Sequence, residues 1–260
     1  WDELIGNKRG VQAELALTRL RQWQPDIQTW AVSATFGDMA EAALPLQSQE
    51  KNSHAKFITI SANIQKKIRI NTRIPKQIES FPWAGHLGTR LAPQVVKLLE
   101  KSNSTLLFTN TRAQTEIWYQ EILKRKPDWQ EQLAIHHGSL SRKDRAEVET
   151  KLKQGDIRCV VCTSSLDLGI DFSPVDQVIQ IGSPKGTARL TQRAGRSGHS
   201  PGKVSKITCV PTNALELIEF AAARDSWENR SLETKTLLHK PLDVLVQHLI
   251  TVIIGNPTTA

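Results

Sequence analysis

The stretch IRCVVCTSSLDLGID, residues 157–171, changes character at Thr163. Its first seven residues read as a strand buried on both faces. The next eight place hydroxyls, a glycine and two carboxylates directly after that strand. Cys159 and Cys162 stand three apart, so on a strand they point to opposite faces. No second cysteine pair or histidine cluster completes a tetrahedral metal site. The C-x-x-C therefore reads as core rather than as a zinc or redox motif.

Outward from this strand, further strands are expected at residues 105–109, 133–136, 175–181 and 204–210, and upstream at 29–33, 57–60 and 68–72. Helical spacing covers 10–23, 38–44, 91–100, 113–124, 187–195 and 214–228. Another helix is capped by Ser141, carries Asp144 at its third position and ends at Gln154 before Gly155. Strands alternating with helices imply an α/β fold, a parallel sheet with helices on both faces. Ligands in such sheets bind at the carboxyl ends of strands, so the functional loops are expected after Ser33, Thr109, His136, Thr163 and Ile181. A final apolar helix begins near Leu242, too short a segment to be a domain by itself.

The chain has 260 residues and a formal net charge of +8, with a pI near 9.5. That excess favours a polyanionic partner, although charge alone discriminates poorly. Asp243, Gln247 and His248 interrupt the last apolar run, so no bilayer span is expected. Without a leader segment the default location is the cytoplasm, with no membrane partner. The chain starts at Trp1 and its single methionine is Met39, which suggests that an N-terminal part is missing.

Chemistry concentrates in a few strings. Gln192-Arg193-Ala194-Gly195-Arg196-Ser197-Gly198-His199 holds two planar guanidinium forks suited to phosphate oxygens. Thr163, Ser164 and Ser165 supply hydroxyls for a sugar-phosphate backbone. Thr109-Asn110-Thr111-Arg112 and Ser33-Ala34-Thr35 end strands. His137-Gly138-Ser139 precedes a helix N-terminus, whose dipole favours phosphate. Trp30, Trp83, Trp118 and Trp129 offer either base stacking or core packing, and packing is the commoner use of such residues. A P-loop is missing: Gly198-His199-Ser200-Pro201-Gly202-Lys203-Val204 has one residue too few and valine at the Mg²⁺-ligand position. This chain by itself is therefore expected not to hydrolyse ATP, and no metal site is expected within it.

In this order the strings resemble motifs III, IV, IVa, V and VI of superfamily 2 helicases. They come closest to the large helicase-related (Lhr-type) family, including its DNA-ligase-associated members. Trp83-Ala84-Gly85-His86 and Gly182-Ser183-Pro184-Lys185-Gly186 carry the same likeness. The resemblance implies a second RecA-like lobe over 63–236, the end of a first lobe over 1–62, and the start of a winged-helix-like domain over 237–260. It implies that Arg196 is an arginine finger on the γ-phosphate and that Arg193 and Gln192 are its companions, both guanidinium groups reaching across a cleft. Gly169 and Asp171 resemble positions that sense ATP. Thr109, Arg112, His137, Gly138, Ser139, Thr163, Ser164 and Ser165 resemble contacts to the tracked DNA strand. Ser33, Ala34 and Thr35 resemble the segment coupling hydrolysis to lobe movement. Trp1-Asp2-Glu3-Leu4 resembles the end of an acidic D-E-W-H-E-L motif, with Asp2 where the family has histidine. His199 replaces the third arginine of many superfamily 2 members, and a neutral imidazole is no finger. The implied cofactors are ATP and Mg²⁺, held mainly by the first lobe. The implied partners are single-stranded DNA or a DNA- or RNA-containing duplex, and repair proteins such as a ligase. The implied activity is 3′-to-5′ tracking and duplex unwinding in DNA repair. Other readings are an RNA helicase, a RecA-like module that binds nucleic acid without catalysis, and a complete small α/β protein of other function.

Overall fold

The strand quoted first forms as β4 (Cys159–Cys162), and every residue in it is buried. The computed structural model describes residues 1, 4–32, 39–46, 58–60, 67–74, 88–167, 175–198, 204–229, 231 and 236–255. They belong to two compact units, one of Trp1–Asn63 with Leu232–Ala260, the other Ile64–Ser231.

The second unit holds a six-stranded sheet made of β1 (Ile68–Thr72), β2 (Thr105–Phe108), β3 (Leu133–His136), β4, β5 (Gln177–Ile181) and β6 (Ser205–Val210). Their order across the sheet is β1-β6-β5-β2-β4-β3, and every pairing is parallel. Alternate side chains enter two separate cores. Leu107, Cys159, Val161 and Ile179 pack under α3 (Ala92–Leu99) and α4 (Arg112–Arg125). Leu106, Phe108, Cys162 and Val178 pack under α5 (Arg142–Gln154), α6 (Thr187–Ala194) and α7 (Leu215–Glu228). Cys159 and Cys162 thus enter opposite cores, and all three cysteines are free and buried. Burial pushes the Cys209 thiol up to about 12 and raises the other two as well, leaving them unreactive near neutrality.

Local chemistry sets the helix ends. The Thr111 hydroxyl accepts from the Gln114 amide at 3.2 Å to start α4, and Ser141 accepts from the Asp144 amide at 3.1 Å to start α5. Gly155 closes α5 in the left-handed region, φ 82°, which side chains other than glycine disfavour. Trp118 is completely buried and Trp129 is 7% exposed, so both are core residues, whereas Trp30 is 86% exposed.

The first unit contains α1 (Lys8–Trp23), α2 (Met39–Ala43) and α8 (Leu242–Gly255). Helix α8 lies against α1 through the Lys8–Asp243 ion pair and a 3.1 Å bond from Gln12 Nε2 to Gln247 Oε1. The strands expected at 29–33 and 57–60 do not form in their described parts. Trp30, Val32, Ile58 and Ile60 are 76–89% exposed. They have no partner strand among the described residues, and extended backbone without one is not held as a sheet.

Candidate functional site

Strands β2, β4 and β3 are neighbours, so the loops that leave their carboxyl ends are neighbours too. Arg112, the first residue of α4, is exposed and donates from Nη1 to Ser139 Oγ at 3.1 Å. Gly138, Ser139 and Ser164 are exposed, and a Cβ on Gly138 would meet nothing within 4 Å. The amides that open α5 follow immediately, giving a guanidinium, hydroxyls and a helix N-terminus on one edge.

Two expected contacts turn inward instead. Thr109 is fully buried and shares a 2.7 Å bond with the Thr115 hydroxyl, so it anchors α4 and cannot meet a ligand. His137 is 6% exposed; its Nδ1 has no hydrogen-bond partner among the described residues, and its Nε2 lies 3.9 Å from Glu116 Oε1. Thr163 and Ser165 are half-buried. Ser165 Oγ lies 2.7 Å from His136 Nδ1 and 3.0 Å from the His136 carbonyl, and its single proton serves one of these acceptors. His136 Nε2 meets Glu149 Oε1 at 3.2 Å. Burial holds the His136 imidazole below its usual range against the pull of Glu149. A neutral ring that donates through Nε2 to Glu149 leaves Nδ1 as an acceptor that competes with the His136 carbonyl for the Ser165 proton.

The arginines come from α6 and its exit, and their side chains reach back to the loop after β4 and the end of β5. A helix that follows a parallel strand runs back towards the amino ends, and the exit of α6 is anchored there. Ser197 bridges to Val175 and accepts the Lys206 amide at 2.7 Å. Gly198 has φ +64°, and a Cβ on it would lie 2.9 Å from the Val204 carbonyl oxygen. The expectation that both guanidinium groups reach across a cleft fails for Arg193, which is 2% exposed. Its Nε and Nη2 donate to Asp167 Oδ1 and Oδ2 at 2.7 and 3.1 Å. Its Nη1 donates to Gln180 Oε1 at 2.5 Å, and its guanidinium carbon stacks 4.5 Å from the Phe108 ring centroid. A buried charge requires such pairing, and the same pairing occupies the fork that a nucleotide would need.

Arg196 is half-buried and donates from Nη2 to the Asp167 carbonyl at 2.5 Å. Burial lowers its pKa and Asp167 opposes that, yet a guanidinium keeps its charge at neutral pH. Gln192 is half-buried, with no partner for Nε2 among the described residues. Asp2, Ser33, Ala34, Thr35, Gly169, Asp171, His199 and the 83–86 string lie outside the described residues.

Sequence reasoning missed Asp167, Gln180, His136 and Glu149. Gln180 left a signal, an amide in the middle of an apolar strand, because a fully buried amide must find partners. Asp167 lay within the stretch first quoted, and Arg193 required a carboxylate. No group of three acidic, histidine or cysteine residues suited to a cation occurs among the described residues. Arg196 suits a phosphate, and nothing described here fits Mg²⁺.

The Helicase conserved C-terminal domain family matches residues 90–200. The chain is 36% identical over 248 residues to the ATP-dependent helicase Lhr-Core protein 2 of Thermococcus barophilus, covering 95% of this chain and 29% of that protein. It is 43% identical over 289 residues to the Lhr helicase/probable uracil glycosylase of Mycolicibacterium smegmatis, covering 99% of this chain and 19% of that one. Among solved structures, Mycobacterium smegmatis helicase Lhr bound to ssDNA and AMP-PNP superposes with a TM-score of 0.84 at 30% identity, over 98% of this chain and 33% of that one. The chain spans less than a third of the length of the curated relatives it matches.

Proposed function

The chain belongs to the Lhr-type helicases of superfamily 2, and on that footing we propose that it serves an ATP-dependent motor that tracks 3′-to-5′ along single-stranded DNA, unwinds duplexes and works in DNA repair. ATP would supply the free energy through its binding and hydrolysis, and Mg²⁺ would offset the charge of its phosphates. This chain's own part is to bring Arg196 to the transferring phosphoryl group, where a guanidinium offsets developing charge, and to hold backbone phosphates. Arg112, Ser139, Ser164 and the amides opening α5 are the groups placed for the second task. A relative solved with ssDNA and AMP-PNP supports both roles.

The observation that carries this reading is Arg196, half-buried and charged, on a loop anchored by Ser197 and Gly198. Arg193 is paired inside, so the reading rests on the Arg196 finger without Arg193 as a companion at the nucleotide. Residues 1–62 are proposed to end a first RecA-like lobe and 237–260 to begin a winged-helix-like domain. The segment alone is proposed to be inactive towards ATP, since no P-loop pattern occurs in it. No helix among the described residues is long and apolar enough to cross a membrane, and the cytoplasm is the proposed location. An RNA motor is the second reading, because the exposed groups suit phosphates and these discriminate the two sugars poorly.

Arg196→Ala in the full-length protein is expected to lower strand-stimulated ATP turnover by about a thousandfold while strand binding survives. Unchanged turnover would remove the finger and the motor reading with it. Parallel DNA and RNA stimulation assays decide the preferred strand.

A further inference from the structure

We infer that Asp167 is the positioning residue for Arg196, acting with Gln180 through the buried Arg193; this rests on the motor reading above. Asp167 follows the short helical turn Ser164–Leu166, and its own amide donates to the Ser164 carbonyl at 3.0 Å. Its carboxylate, 6% exposed, takes two bonds from Arg193, and Arg189 Nε stands 3.7 Å from Oδ2. Its main-chain carbonyl takes the Arg196 guanidinium. One residue therefore grips two arginines three positions apart, and the Arg196 amide in turn donates to the Arg193 carbonyl at 2.9 Å. Gln180, fully buried, accepts from Arg193 and donates to the carbonyls of Ile181 and Gly182 at 2.9 and 3.1 Å. The network joins the loop after β4, the exit of α6 and the end of β5 across the Phe108 ring.

A well-packed apolar cluster would stabilise this place at least as well as a buried ion pair. What the polar set adds is direction. An arginine side chain has many rotamers, and a finger misplaced by about 1 Å costs on the order of a hundredfold in rate. Tying Arg196 to the peptide of the residue that also clamps its helix removes that freedom before the phosphate arrives.

In the full-length protein, Asp167→Asn keeps the side-chain shape and removes the charge. It is expected to lower kcat for strand-stimulated ATP turnover at least about tenfold, with KM for ATP and single-stranded DNA affinity within about twofold. In the Arg196→Ala background the same substitution is expected to change kcat by less than about twofold, because the group it positions is gone. A fully additive loss, an unchanged kcat in the single variant, or parallel loss of DNA affinity overturns the assignment. If Asp167→Asn does not fold, Gln180→Met decides, since it removes the Arg193 acceptor and the two bonds to the Ile181 and Gly182 carbonyls and leaves the ion pair. It is expected to lower kcat about threefold at constant DNA affinity, and an unaltered kcat overturns the assignment. Should Arg196→Ala itself leave turnover intact, the motor reading fails. Should it abolish turnover while Asp167→Asn and Gln180→Met do not lower it, only the positioning role fails.

Discussion

The two arginine-bearing regions of the sheet unit use the same side chain for opposite ends. At the carboxyl edge Arg112 is exposed and donates to the Ser139 hydroxyl. Over the face covered by α6, Arg193 is buried, with Asp167, Gln180 and Phe108 around its fork. A desolvated charge is stable only when fully paired, so the buried arginine is spent on structure and the exposed one remains open to an anion. A motif arginine is thus no evidence of ligand contact until its burial is known. Arg196, three residues after Arg193, stands between the two cases.

The sharpest test is Arg193→Ala. It strands the Asp167 carboxylate in the core, and chemical denaturation is expected to show a loss of about 3–5 kcal/mol. An unfolding midpoint equal to the parent's would break the contrast. Gly198→Ala comes next, because the left-handed backbone and the close Val204 carbonyl both resist a side chain. It is expected to cost about 2 kcal/mol or more, and turnover should fall with it if the Arg196 loop is pre-set; a neutral effect would mean that the loop yields.

Acidity tests the carboxyl edge. The folded His136 takes up a proton less readily than an unfolded histidine. Its contribution to stability is therefore level above the unfolded value of about 6.5 and falls as the pH drops below it, by at most about 1.4 kcal/mol per pH unit for one proton. His136→Gln should remove that slope, as urea titrations between pH 7.5 and 5.5 would show; a slope that persists places the proton elsewhere. Arg112→Ala is the smallest. Stability should move by no more than about 0.5 kcal/mol, while the salt dependence of strand binding flattens by about one unit of slope. An unaltered slope would take Arg112 out of the phosphate contacts.

Most of the sheet unit was legible because its signals are local. Residues 105–109, 133–136, 157–163 and 204–210 are apolar runs bounded by turn chemistry, and each contains an observed strand. Ser141, Asp144 and Gly155 marked the ends of α5 where they are found. The failures have a common cause. Residues 29–32 and 58–60 have strand-like composition, yet a strand exists only with a neighbour. Thr109 was read as a contact from its place after a strand, while its hydroxyl had a nearer acceptor inside.

The sequence by itself determined the α/β alternation, the burial of the cysteines on opposite faces and the family, because periodicity, capping and ordered motifs are properties of neighbours along the chain. Only the tertiary structure decided which arginine is held inside, that Asp167 holds it, and that His136 meets Ser165. Those outcomes depend on desolvation and on partners 26 and 29 residues away, and neither is written in local spacing.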